Sequence, residues 1–211
     1  MHKLLPRIRR DNQAWRTEPA ALFGGEGSYG NGSAMRVAPL GAYFADNPQK
    51  IIEQARLSSV ATHTHFEAVA GAVAVALAAG KACNMRDSGR PADSQELLQH
   101  VHQHTPESKV RQGIWKAIEL APDVSVEAAV ARLGNGSSVT APDTVPFALW
   151  CAGRHLNSYE EAIWTTVSGL GDRDTTCAIV GGIVVMYAGI EGIPAEWLEH
   201  REQIPDWVSS F

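Results

Sequence analysis

Features typical of secreted, membrane-spanning or disulfide-bonded proteins are scarce in this sequence. Its three cysteines are widely spaced and include no CxxC pair, a pattern that favours buried thiols in a reducing compartment over disulfides or a zinc site. The N-terminal stretch MHKLLPRIRRDNQAW lacks the apolar core of a secretory signal. The apolar run at residues 177–190 is shorter than the ~20 residues that span a bilayer. We therefore expect a cytoplasmic protein with no membrane partner.

Positive charge is also limited. The formal net charge is −5, and the only concentrated basic segment is short, at residues 3–10. A protein that binds the phosphate backbone of nucleic acids needs a clustered basic excess. The sequence therefore argues against a nucleic-acid partner.

Local signatures of several enzyme classes are missing. There is no G-x-S-x-G elbow, no Gly-Lys-Ser/Thr ending of a Walker loop, and no G-x-G-x-x-G after a strand. Convincing period-two apolar runs are missing as well, whereas the apolar segments are long and rich in alanine. With 45% hydrophobic residues in 211 and no linker or repeat, the chain is predicted to be a single all-α domain over residues 1–211.

Capping and stop signals divide this all-α chain into helices. Asn47 and Pro48 predict a helix start that leads toward Val60, and Gly80 predicts the end of a helix that begins at Phe66. Pro142-Asp143-Thr144 has the composition of a turn. Further helices are predicted over residues 94–104, 108–120, 125–132, 145–152 and 158–169, with a last one beginning at GDRDTT.

The stretch GDRDTT, residues 171–176, places two carboxylates at the start of the most apolar segment. The repulsion between these like charges has to be offset, either by Arg173 or by a metal ion. The oxygens of Asp172, Asp174 and Thr175 are ligands that Mg²⁺, Mn²⁺ or Ca²⁺ prefer. Asp and Thr are equally suited to capping a helix start, and from spacing alone capping is the favoured interpretation.

A second stretch, GGEGSYGNGS at residues 24–33, has five glycines in ten residues and is called the glycine loop below. Its backbone amides can form a nest for an anion, with Ser28, Tyr29 and Asn31 adding donors and an aromatic face. A flexible surface loop is the alternative, and the sequence favours neither.

Histidines occur in two clusters. In Thr62-His63-Thr64-His65 the two rings would point to different faces of a helix, so a hydrogen-bonded core histidine is favoured over a shared metal. The histidines at positions 100, 102 and 104 lie in a polar helix, where a solvated face is favoured over a metal site.

Three motifs occur in an order that resembles the ADP-ribosylglycohydrolase family. They are LFGGEGSYGNGSAMRVAPLG at residues 22–41, ATHTHFEAVAGAVAVALA at 61–78 and GLGDRDTTCAIVGGIV at 169–184. The segment LGNGSSVTAPDTVPFALWCA at 133–152 is similar to a turn and helix of that family. The resemblance implies a compact orthogonal all-α domain that binds ADP-ribose or an ADP-ribosylated protein. It also implies two divalent cations, usually Mg²⁺ with Mn²⁺ possible, and hydrolysis of the bond between ADP-ribose and an acceptor.

Carried over by position, the resemblance implies metal ligands at Asp172, Asp174 and Thr175. It implies substrate-binding residues in the glycine loop and beside it, namely Phe23, Ser28, Tyr29, Gly30, Asn31 and His63.

The family's upstream Thr-Asp-Asp-Thr metal motif and its acidic residue near the N-terminus do not occur in this sequence. The resemblance therefore implies the C-terminal two-thirds of the family domain, with the expected catalytic acid upstream of Met1. We accordingly expect weak metal binding, slow or absent hydrolysis and some exposed apolar surface. The alternative is an ADP-ribose-binding or structural relative that lacks catalysis.

Overall fold

A computed structural model of the chain describes residues 4–11, 13–203 and 205. Part of the basic segment and both ends of the predicted domain therefore lie outside the described residues. Within these ranges the chain forms α-helices, short 3-10 turns and no strand, which confirms the all-α prediction. The helices are α1 (Leu4–Arg10), α2 (Glu18–Ala21), α3 (Ala38–Tyr43), α4 (Pro48–Val60), α5 (Phe66–Asp87), α6 (Ser94–His104), α7 (Lys109–Ile118), α8 (Val126–Leu133), α9 (Ala141–Arg154), α10 (Tyr159–Ser168), α11 (Arg173–Ala188) and α12 (Ala195–Glu199).

Helix α5 forms the centre of the core and packs against α3, α4, α9 and α11. Its alanines and glycines let neighbouring backbones approach closely. A Cβ at Gly41 of α3 would overlap the Ala76 carbonyl, and a Cβ at Gly71 would lie 2.9 Å from the Cβ of Ala141 in α9. By length and composition α5 is also the one helix of the described residues that could cross a membrane, but 83% of its apolar window is buried inside the protein.

Capping chemistry set several helix starts as predicted. Asn47 accepts a hydrogen bond from the Lys50 amide at 3.0 Å at the start of α4, and Ser125 accepts one from the Ala128 amide at 3.3 Å at the start of α8. Ser108 caps α7 in the same way through the Arg111 amide. The predicted bounds of α6 are confirmed as well.

Two boundaries differ from the prediction by more than two residues. Helix α5 continues past Gly80 to Asp87, because Gly80 serves close packing: a Cβ there would lie 2.6 Å from Ile51 Cδ1 and 2.9 Å from the Gly41 carbonyl oxygen. The Pro142-Asp143-Thr144 segment is the first part of α9 and not a turn, since a proline near the start of a helix gives up only an amide that has no intrahelical partner.

Candidate functional site

A cavity of about 910 Å³ opens between the glycine loop, the segment before α5 and the residues that lead into α9. The structure brings all six predicted substrate-binding residues into its wall. They are Phe23, Ser28, Tyr29, Gly30, Asn31 and His63. Arg36, His65 and residues 138–140 also line the cavity, and sequence reasoning did not assign them to the site.

The glycine loop is held in place and is not a free surface turn. Gly30 forms an antiparallel bridge with Thr140, in which the Asn31 amide donates to the Val139 carbonyl and the Ala141 amide donates to the Tyr29 carbonyl, both at 3.3 Å. Gly27 has a φ of +77°, and a Cβ there would overlap the Thr64 side chain. The glycine thus serves both a left-handed turn and a close approach of two chain segments.

Aromatic rings border one side of the cavity. The rings of Tyr29 and His65 meet edge to face at 4.5 Å, and His65 stacks on Phe66 at 4.8 Å. The His65 ring also accepts a hydrogen bond from the Glu67 amide, so it caps α5. Phe23 is 72% exposed, which is unusual for so large an apolar side chain and leaves its ring available to a ligand.

His63 is buried behind the glycine loop. Its Nδ1 lies 2.7 Å from the Thr62 hydroxyl oxygen, and its Nε2 edge faces Gly30 and Gly32. Burial, followed by the positive charge of Arg36, lowers the pKa of His63 to about 4. The imidazole is therefore neutral at neutral pH. It is a hydrogen-bonded histidine, as favoured from the sequence, and it also faces the cavity.

The residues predicted as metal ligands lie at the first turn of α11. The Asp172 side chain makes no capping hydrogen bond to the helix, in contrast to the interpretation favoured from spacing. Its Oδ2 instead accepts a hydrogen bond from the Asn31 side-chain amide at 2.8 Å, and the same amide nitrogen donates to the Thr144 hydroxyl at 2.9 Å. Asn31 therefore joins the glycine loop to both α9 and α11.

The acidic pair, Asp172 and Asp174, is not neutralised by Arg173. No ion pair joins Arg173 to either carboxylate in the described part of the chain. A hydrogen bond with the Asp172 carboxyl, followed by one from the Thr175 amide, lowers the pKa of Asp174.

The chemistry of this donor set fits Mg²⁺ or Mn²⁺, because carboxylate and hydroxyl oxygens without a cationic side-chain partner are the ligands these ions take. The set is incomplete for a metal centre: residues 4–11, 13–203 and 205 contain no group of three or more His, Cys, Asp or Glu side chains that could hold a metal ion. Thr175 is the third predicted ligand and is 6% exposed.

The histidines of α6 lie apart from the cavity. His104 Nδ1 is 2.9 Å from the His100 carbonyl oxygen, and the two rings are 4.5 Å apart. No metal-binding group forms around them among the described residues. All three histidines are partly buried and not fully solvated, and burial lowers the pKa of His100 to about 4.

Comparison with known proteins gives the relationship directly. The family model of ADP-ribosylglycohydrolase matches residues 3–211. The chain is 32% identical to ADP-ribosylhydrolase ARH3 of Bos taurus and 31% identical to that of Homo sapiens, in each case over 88% of this chain and 57% of the relative. It is 37% identical to an uncharacterized protein of Archaeoglobus fulgidus, over 80% of this chain and 52% of the relative.

The chain thus spans somewhat more than half the length of the curated relatives it matches. The matched region includes the glycine loop, the cavity wall and the acidic pair. The family expected from three short motifs is therefore confirmed across the chain. The protein belongs to the ADP-ribosylglycohydrolase family.

Proposed function

We propose that this chain provides the nucleotide cavity and one part of the metal site of a metal-dependent hydrolase that cleaves the glycosidic bond between ADP-ribose and an acceptor. Membership of the family and the ARH3 relatives support ADP-ribose as the ligand. The dimensions of the cavity agree, since about 910 Å³ is within the range of small-molecule sites.

Different residues of the cavity suit different parts of ADP-ribose. Tyr29 and the exposed Phe23 present aromatic faces that suit the adenine ring. The diphosphate would lie against the glycine loop, where the Ser28 hydroxyl and neutral His63 supply hydrogen-bond donors. Donors of this kind fix a ligand without repelling a cation that binds nearby.

Asp172, Asp174 and Thr175 would hold the divalent cation. When bound, Mg²⁺ supplies positive charge that can orient ribose hydroxyls and polarise a water molecule. Holding the ribose in a fixed geometry lowers the entropic barrier to bond cleavage. Asn31 maintains one oxygen of Asp172 in a hydrogen bond, which orients the carboxylate relative to the cavity.

A single observation supports this proposal most strongly: the glycine loop and the acidic pair are directly bonded through Asn31 and Asp172 at 2.8 Å. A shared hydrogen bond of this kind places the proposed nucleotide and cation sites next to each other, as a reaction on a ribose attached to a diphosphate would require. If the acidic pair served only to cap α11, no hydrogen bond between it and the glycine loop would be needed.

The proposal is tested by calorimetry and by turnover on the full chain. ADP-ribose should bind more tightly with MgCl₂ than with EDTA, and any release of ADP-ribose from an ADP-ribosylated protein, which we expect to be slow, should require Mg²⁺. Asp172→Ala should remove the effect of Mg²⁺, whereas Asp87→Ala, at an exposed carboxylate at the end of α5, should keep it. Folded protein that gives no heat with ADP-ribose would refute the proposal.

A second candidate is an ADP-ribose-binding protein that does not hydrolyse the bond. It is favoured by the small number of metal-binding side chains that the described residues bring together. ADP-ribose binding that is weakened by Tyr29→Ala, combined with no release of ADP-ribose at any Mg²⁺ or Mn²⁺ concentration, would select this candidate.

A further inference from the structure

Arg36, Thr62 and His63 form a continuous chain of hydrogen bonds behind the cavity. Arg36 Nη2 donates to the Ser58 carbonyl at 3.0 Å and to the Thr62 hydroxyl oxygen at 2.8 Å. The same hydroxyl oxygen lies 2.7 Å from His63 Nδ1. Arg36 and His63 both line the cavity, and Thr62, which is 8% exposed, connects them.

The direction of each bond follows from the chemistry of its first member. A guanidinium can only donate, so the Thr62 oxygen must accept from Arg36. The Thr62 oxygen keeps a second lone pair, but among the described residues its single hydroxyl hydrogen has an acceptor only at His63 Nδ1, and only when that nitrogen is unprotonated. We infer that Arg36, acting through Thr62, is a positioning residue that holds His63 in the tautomer with its proton on Nε2.

The opposite tautomer is less favourable for a specific reason. It would occupy both lone pairs of the Thr62 oxygen with donors, one from Arg36 and one from His63. It would then leave the Thr62 hydroxyl hydrogen without an acceptor among the residues that the structure describes, and a buried donor without an acceptor is unfavourable. The low pKa of His63, about 4, agrees with a neutral ring at neutral pH.

The backbone fixes where the Nε2 proton points. The His63 amide donates to the Ser59 carbonyl at 2.7 Å, and the Ser59 hydroxyl donates to the His63 carbonyl at 2.9 Å. The ring consequently faces the glycine loop, where a Cβ at Gly32 would lie 3.0 Å from Nε2 and one at Gly30 would lie 3.4 Å from it. Because both positions are glycine, the Nε2 edge stays open to the cavity.

This arrangement provides the cavity with an uncharged N–H donor of fixed direction. The inference rests on the proposed function for its ligand, which is a diphosphate oxygen of ADP-ribose. Arg36 would therefore influence the anion through His63, by setting which nitrogen of that ring carries the proton.

The tautomer can be measured without any ligand. In the full chain labelled with ¹⁵N-histidine, two-bond proton–nitrogen correlations at neutral pH should show His63 with Nδ1 unprotonated and Nε2 protonated. Thr62→Val, which removes the hydroxyl but keeps the shape, should give a mixture of tautomers, and so should Arg36→Met. Thr62→Ser should restore the wild-type pattern.

A matched control exists elsewhere in the fold. Thr165 Oγ1 lies 2.9 Å from His155 Nε2, so Thr165→Val breaks a second threonine–histidine pair. It should shift the ring signals of His155 and leave those of His63 in place. A proton on Nδ1 of His63 in the wild-type chain, or a Thr62→Val spectrum identical to wild type, would overturn the inference.

Binding then separates this inference from the proposed function. We expect Thr62→Val to weaken ADP-ribose binding by about 3- to 10-fold, the range for one hydrogen bond, and Thr62→Ser to recover it. Normal binding by Thr62→Val despite a mixed tautomer would overturn the positioning role. The expected tautomer in a chain that does not bind ADP-ribose would support the inference and refute the proposed function alone.

Discussion

Asn31 and Asp172 are 141 residues apart in the sequence and are joined by a hydrogen bond of 2.8 Å. Asn31 is buried, and its second hydrogen bond reaches the Thr144 hydroxyl. One side chain therefore joins the glycine loop, the start of α9 and the acidic pair. Its position makes the loop and the carboxylates dependent on one another.

Asn31→Ala should weaken both functions of the site. It leaves Asp172 and Thr144 without their amide partner, so we expect a loss of about 1–3 kcal/mol in the free energy of unfolding. Weaker binding of Mg²⁺ and of ADP-ribose should follow, measured by urea unfolding and calorimetry. Asn84→Ala removes an exposed amide that donates to the Ala45 carbonyl, remote from the cavity, and serves as the control. Equal losses in the two variants would contradict the role of Asn31.

Gly27→Ala should distort the glycine loop. The left-handed backbone costs an alanine about 1–2 kcal/mol, and the Cβ would in addition overlap the Thr64 side chain. Gly89→Ala is a matched control, since Gly89 also has a positive φ, of +65°, but no atom lies within 4 Å of its Cβ position. Thermal unfolding should show a larger loss for Gly27→Ala, and only this variant should lose ADP-ribose binding. Similar effects of both substitutions would contradict the close contact.

Glu67 should be important for stability and not for chemistry. It is 1% exposed, and its carboxylate accepts hydrogen bonds from the Lys109 and Val110 amides, at 2.8 and 3.1 Å, where α7 begins. Glu67→Ala should lower the free energy of unfolding by roughly 1.5–3 kcal/mol, the range for hydrogen bonds to a charged group. Glu67→Gln keeps one acceptor oxygen and should lose less. Urea unfolding of the two variants provides the comparison, and equal losses would contradict this role.

Acidification should destabilise the fold through two histidines. Burial lowers the pKa of both His63 and His100 to about 4, whereas an unfolded histidine titrates near ~6.5. Between these values the unfolded chain binds more protons than the folded chain, so the free energy of unfolding falls as the pH drops from about 6.5 to 4. Above about 6.5 this contribution is fully present.

The pH dependence is measured by urea unfolding at several pH values. His63→Gln and His100→Gln should each reduce the slope across this window, whatever their stability at neutral pH. Slopes equal to that of the wild-type chain would show that the folded histidines titrate normally.

The fold was predictable where the signals are local. Asn47, Ser108 and Ser125 each cap a helix that the sequence predicted, because a cap needs only a short side chain next to its own helix. Gly80 was misinterpreted as a stop because its role depends on Ile51 and Gly41, which are distant in the sequence. Long-range packing of this kind leaves no mark in local periodicity.

In the candidate site, too, the local motifs were predictable and the long-range contacts were not. The glycine loop and the acidic pair were recognisable as motifs, and the structure places them side by side. Arg36 and Val139 were not recognisable: Arg36 reaches His63 only through Thr62, and the left-handed φ of +55° at Val139 is unusual for a β-branched residue. The role of Asp172 also changed, since its partner is the side chain of Asn31 and not the helix it begins.

The tight packing of α5 connects a buried residue outside the cavity to the cavity wall. Gly71 leaves no room between α5 and Ala141, and the amide of Ala141 is bonded to the Tyr29 carbonyl in the glycine loop. A larger side chain at Gly71 would press on α9 and, through that one amide, on Tyr29 at the border of the cavity. A buried position far from the cavity is thus connected by packing to its wall.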